Sequence, residues 1–192
     1  MRRLIGLLVV VTLVLGLSAG QSAQADLLLF HSALSPHNEI QDPPVISDAA
    51  GAAVMAVDPA TGDFDLTLWV SGLTEADLAA NEAGRFHIHL GGPDVNGGVI
   101  FQFAGLDNFW STGGPGGQLL VREIVGANLG QSFMDDYWDD LLAGDTYLNL
   151  HTQAYPAGEI RGQLVLIPEP ASLGLVAMGA AVLLMGRRRR MV

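Results

Sequence analysis

Two of the chain's five histidines stand one residue apart in Phe86-His87-Ile88-His89-Leu90, and a third, His151, follows Leu148-Asn149-Leu150. Imidazole ligates zinc and copper, and it also moves protons near neutral pH, so these three rings are the first candidates for chemistry. Side chains alternate faces along a strand. His87 and His89 therefore project from one face, and Phe86, Ile88 and Leu90 from the other. Asn149 and His151 likewise oppose Leu148 and Leu150, while Glu159, Arg161 and Gln163 oppose Ile160, Leu164 and Leu166. If the three strands are neighbours, one sheet face gathers His87, His89, Asn149, His151, Glu159 and Arg161.

Two readings of that face stay open. His87, His89 and His151 could hold zinc or copper. Alternatively, Glu159 and Arg161 hydrogen-bond the imidazoles, and the cluster is a structural network with Asn149 that fixes the strands in register and needs no cofactor. The His-x-His strand resembles part of the copper site of Cu/Zn superoxide dismutase. Only His31 and His37 remain as further imidazoles, and the chain has no cysteine for that enzyme's disulfide, so dismutase activity is not expected. Ser111, Ser132 and Thr152 lack the partner spacing of a nucleophile, which favours a non-enzymatic protein over a metal-dependent enzyme. The acidic run Met134-Asp-Asp-Tyr-Trp-Asp-Asp140 lacks the spaced ligands and glycine of an EF-hand loop and reads as a solvated helix face. The glycine-rich stretches lack the Gly-Lys-Ser/Thr ending of a phosphate loop and read as turns or binding loops.

The elements that must position the histidines are short strands. Gly51–Asp58 and Asp63–Leu73 flank a Pro-Ala-Thr-Gly turn and predict a hairpin. In the second segment Phe64, Leu66, Leu68 and Val70 alternate with Asp63, Asp65, Thr67 and Trp69, the pattern of a half-buried strand. Segments at 26–34, 85–90, 98–103, 118–126, 146–152 and 158–166 supply further strands. Two short helices are expected, one over 74–84 with Thr74 as N-cap and one over 132–144 ending at Gly144. The expected fold is all-β, an antiparallel β-sandwich or barrel.

The segment 26–167 is long enough for one hydrophobic core. It holds three arginines and no lysine against 19 acids, so its charge is far more negative than the −11 of the whole chain. Nucleic acid is excluded as a partner and polyanionic sugars are disfavoured, because both need a positive surface. Divalent cations, neutral glycans and cationic partners remain compatible.

A further pattern joins these pieces. Pro43-Pro44 follows the His-Ser-Ala-Leu-Ser strand; then come Gly51-Ala-Ala-Val-Met-Ala-Val-Asp58, Val70-Ser-Gly-Leu73, His87-Ile-His-Leu-Gly-Gly92 and Asn149-Leu-His-Thr through Gly158-Glu-Ile-Arg-Gly-Gln163. This series resembles the CHRD domain, a module named for chordin and found singly in many bacterial secreted proteins. The resemblance covers nearly all of residues 27–165 and implies an extracellular β-rich module, without implying a catalytic mechanism.

Both ends carry their own signals. Arg2 and Arg3 precede the apolar Leu4–Leu17, and small residues stand at Ala23 and Ala25, so residues 1–25 read as a secretory signal peptide cut by signal peptidase after Ala25. At the other end Pro168, Glu169 and Pro170 precede an apolar span, 171–186, and the arginines Arg187, Arg188, Arg189 and Arg190. A 16-residue helix reaches roughly 24 Å against a bilayer core of about 30 Å, and the arginines hold its end in the cytoplasm. Residues 168–192 resemble the PEP-CTERM sorting signal of Gram-negative bacteria. That resemblance implies an exosortase-type enzyme as partner, a transient stay in the inner membrane as a single-pass transmembrane precursor, and final placement in the envelope, on the surface or outside the cell. An extracellular polysaccharide or a surface protein is the expected partner there.

Overall fold

The strand that alternates most cleanly in sequence also anchors the structure. Asp63–Ser71 (β3) buries Phe64, Leu66, Leu68 and Val70 and turns Asp63, Asp65 and Trp69 outward. The computed structural model describes residues 27–81, 84–106, 110–114 and 119–168. The expected signal peptide with Ala23 and Ala25, and Glu169, Pro170, the expected span 171–186 and Arg187–Arg190, lie outside the described residues; Pro168 is described and exposed.

Leu28–Leu34 (β1), Ala50–Val57 (β2), β3, Trp110–Gly113 (β6), Leu119–Asn128 (β7) and Val165–Leu166 (β10) form an antiparallel sheet in the order β10-β1-β2-β3-β7-β6. Phe86–Leu90 (β4), Val99–Gln102 (β5), Thr146–Leu150 (β8) and Ile160–Gln163 (β9) form a second sheet in the order β5-β4-β8-β9. The expected β2–β3 hairpin is present, with Val57 opposite Phe64. The expected choice between sandwich and barrel resolves to a sandwich. Its core joins Phe30, Met55, Leu66 and Leu68 of one sheet to Phe86, Ile88, Leu148 and Ile160 of the other.

The last strand segment differs from its expectation. Read as one strand, 158–166 breaks at Leu164: β9 pairs with β8, whereas β10 pairs with β1 in the other sheet. The crossing is close. Ser35 and Arg161 exchange backbone hydrogen bonds of 3.0 and 3.2 Å, and a Cβ on Gly162 would stand 2.5 Å from the carbonyl oxygen of Ala33. Glycine is required where β9 touches β1 so tightly.

In place of the start of the helix expected over 74–84, the described residues form a 3₁₀ turn, Glu75–Asp77. Thr74 does open it, donating from its backbone N–H and hydroxyl to the Asp77 carboxylate at 2.8 and 2.7 Å. Beyond the turn the backbone finds better partners elsewhere: Leu78 bridges Thr152, and Ala79 N–H donates to the His151 carbonyl at 3.1 Å. Tertiary pairing overrides the local helix signal. The acidic helix forms as two pieces, Gln131–Asp136 (α1) and Trp138–Ala143 (α2), separated at Tyr137 (φ −130°) and closed by Gly144 in the left-handed conformation. Asp135, Asp136 and Asp139 are exposed on it.

Candidate functional site

The three histidines meet because β4 and β8 are neighbours in one register. His87 pairs with Asn149 and His89 with Tyr147, while Asn149 and Tyr147 pair across their other edge with Arg161 and Gln163 of β9. Since partners across a sheet share a face, the outer face of this sheet carries His87, Asn149 and Arg161 in one row and His89, Tyr147 and Gln163 in the next. His151 extends β8 beside them. The face deduced from alternation therefore exists, with all six expected residues on it, and every one of them is buried.

Loops cover it. Residues 91–98 are held by Arg161, whose guanidinium donates to the carbonyls of Gly92 and Val95 at 2.7 and 2.9 Å and to Asn96 Oδ1 at 3.1 Å. Residues 36–48 are held by Gln41, which donates to the Gly158 carbonyl at 2.7 Å, and by Ser47, which donates to Glu159 Oε1 at 2.5 Å. Residues 152–158 are held by Thr152 donating to Glu159 Oε2 at 2.5 Å and by Tyr155 Oη donating to the Ile46 carbonyl at 2.7 Å.

These partners correct one expectation. The hydrogen bonds of Glu159 and Arg161 run to the loops, not to the imidazoles. Glu159 lies immediately before β9, where two hydroxyls claim both of its oxygens. Arg161 stacks on Tyr147, with its guanidinium carbon 3.4 Å from the ring centroid, and reaches past it into the 91–98 loop. Tyr147, which lies between them in strand order, also stacks on His89, with centroids 4.9 Å apart and planes at 14°.

The imidazoles face one another instead. One ring nitrogen from each of His87, His89 and His151 lies within 4.8 Å of the others, and His87 Nδ1 is 3.2 Å from His151 Nε2. Nδ1 of His89 is 3.0 Å from the Gly97 carbonyl and Nδ1 of His151 is 3.0 Å from the Pro156 carbonyl. A carbonyl can only accept, so both rings carry their proton on Nδ1 and leave Nε2 bare. His89 Nε2 is buried without a hydrogen-bond partner. Burial holds the pKa of His89 below its ordinary value and pushes that of His151 down to about 4, with further depression from the neighbouring histidines. Neutral rings with inward lone pairs are the form that binds a metal. His31 is exposed on β1 and His37 is exposed in the 36–38 turn; neither belongs to the cluster. Among the described residues, this is the one group of histidine and acidic side chains whose donor atoms converge in this way.

Sequence reasoning missed Glu39. It sits under β8, where a Cβ on Gly158 would stand 2.6 Å from both its Oε1 and the Asn149 amide. Burial pushes the Glu39 carboxyl up to about 7 against the pull of Gln41 and Arg161. No periodicity could have found it, since it reaches the face from an irregular loop. Tyr147 was findable, two residues before Asn149 on the same alternation.

A protein-family model described as the CHRD domain matches residues 30–164. No curated protein and no solved structure matches the chain. No helix among the described residues is long and apolar enough to cross a membrane.

Proposed function

The chain belongs to the CHRD domain family, and from that premise we propose that it is an exported, non-enzymatic component of the cell surface or extracellular matrix. The family match is consistent with an extracellular, secreted domain. In this reading signal peptidase removes residues 1–25, an exosortase-type enzyme acts on the Pro168-Glu169-Pro170 tail, and the domain then contacts a neutral polysaccharide or another surface protein.

The observation that carries the reading is the open outer face of the six-stranded sheet. Trp69 (37% exposed), Val54 (40%), Leu29 (42%) and Val165 (43%) stand on it in water. Basic groups are scarce around it: Arg122 and Arg161 are buried, and Arg85 is paired with Glu75 at 3.7 Å. An exposed aromatic among aliphatic side chains suits a partner's apolar or sugar-ring surface, whereas the scarcity of cations disfavours phosphates.

Fractionation with an antibody against the domain tests the sorting half. In a host with the sorting enzyme, the wild type should lose its tail and appear in the envelope or medium. Pro168→Ala with Glu169→Ala should stay full-length in the inner membrane. A wild type that also stays full-length there contradicts the proposal. A second reading, metal binding by His87, His89 and His151, rests on its own observation, the convergence of their ring nitrogens.

A further inference from the structure

We infer that His87, His89 and His151 form a site for one d¹⁰ metal ion, zinc(II) or copper(I), bound through three neutral imidazoles. The bond lengths fit. Two nitrogens bound to zinc at 2.0–2.1 Å lie roughly 3.4 Å apart, and His87 Nδ1 and His151 Nε2 are 3.2 Å apart. One ring nitrogen from each of the three histidines lies within 4.8 Å of those of the other two, so a modest reorientation of the rings brings three donors to bonding distance.

The surroundings fit as well. Histidine ligands ordinarily donate their other N–H to a carbonyl or carboxylate, which fixes the tautomer and aims the lone pair. Gly97 and Pro156 supply such carbonyls to His89 and His151. A purely hydrogen-bonded cluster accounts for only one pair of rings. His87 can donate to His151 Nε2, but His89 Nε2 then remains a desolvated acceptor with nothing to accept. A metal ion uses all three lone pairs.

The donor set selects the ion. Calcium and magnesium need several oxygen ligands, and Glu159 spends both of its oxygens on Ser47 and Thr152. Imidazole suits zinc and copper. The positive charge of Arg161 acts on His89, which favours the ion of lower charge. Zinc would take its fourth ligand from solvent, whereas copper(I) accepts three.

The full-length chain, stripped with chelator, is titrated with zinc(II) alone and, under reducing anaerobic conditions, with copper(I) alone. One equivalent of at least one ion should bind. It should raise Tm by on the order of 5–10 °C at a hundredfold excess over Kd. His89→Gln and His151→Gln should each weaken binding at least tenfold, and His31→Gln with His37→Gln should change nothing. X-ray absorption on the loaded wild type should show three imidazole nitrogens at about 2.0 Å, a readout that depends on no variant. Binding of neither ion, a shell of fewer than three imidazoles, or loss of the ion in the His31/His37 variant overturns the inference.

Discussion

On the outer face of the four-stranded sheet, His87, Asn149 and Arg161 stand side by side and are buried. On the outer face of the six-stranded sheet, Leu29, Val54 and Trp69 lie on a diagonal across three neighbouring strands and stand in water. Hydrophobicity alone would place them the other way round. Alternation decides which residues share a face, but it does not decide which face is wet. That depends on where the connecting loops go. The four-stranded sheet carries side chains that can hold loops: Arg161 accounts for two carbonyls and an amide of the 91–98 loop, and Glu159 for two hydroxyls from different loops. On the six-stranded sheet Leu29, Val54 and Val165 offer a loop nothing to bond to, and Asp65, which shares their face, accepts from Gly126 N–H within β7 at 2.7 Å rather than from a loop. Each loop in turn desolvates the polar groups beneath it, which strengthens the bonds that hold it.

The contrast breaks most severely at the shared core. Leu68→Asp puts a carboxylate between the two sheets and should unfold the domain, a loss of more than about 4 kcal/mol. Thr67→Asp, one residue away on the open face, should cost less than about 1 kcal/mol. Chemical denaturation of the pair checks the assignment of faces, and equal tolerance would reverse it.

Arg161→Met keeps the length of the side chain but removes the donors that hold the 91–98 loop. It should cost about 3 kcal/mol, because buried carbonyls lose their partners. Hydrogen exchange should rise in residues 91–98 well before it rises in β8. Uniform exchange across the domain would mean that the loop is held by something else.

A smaller effect tests the electrostatics of the covered face. The Glu39 carboxyl titrates at about 7 in the folded chain against an ordinary value of 4.5, so the folded state holds its proton more tightly than the unfolded state. Its contribution is fully present below about pH 4.5 and is lost as pH rises through about 7. Glu39→Gln should therefore stabilise the domain at pH 8 by on the order of 1 kcal/mol, after allowance for solvent screening, and should change little at pH 4. Denaturation midpoints at the two pH values measure it.

The smallest expected effect lies on the open face. Trp69→Thr should change stability by less than about 0.5 kcal/mol, since the ring is not part of the core. If the proposed surface role holds, it should reduce retention of the protein in surface material washed from cells. Unchanged retention would move the contact elsewhere.

Much of this was legible from residue order. The alternation of β3, the β2–β3 hairpin, the stop at Gly144 and the separation of the six polar residues from the apolar side of their strands follow from local rules; that those strands are neighbours does not. What stayed hidden depends on distant partners. The Thr74 helix fails because Thr152 and His151 capture the next residues. The strand through Leu164 divides because each half pairs with a different sheet. Arg122 shares the inward alternation of Leu120 and Ile124; it pairs with Leu68, is buried and donates to the Phe103 carbonyl at 2.8 Å, a partner that local sequence does not indicate. The loops that turn a polar face into an interior leave no periodic trace, and Glu39 and Ser47 arrive with them.

The buried polar face is tested most directly by long-range ¹H–¹⁵N NMR of the histidine rings in the metal-free, full-length chain. Because Gly97 and Pro156 present carbonyls to His89 and His151, both rings should carry their proton on Nδ1, with Nε2 showing the shift of a bare nitrogen. Protonation of either ring on Nε2, or tautomer averaging like that of an imidazole in water, would contradict the convergence of lone pairs beneath the loops.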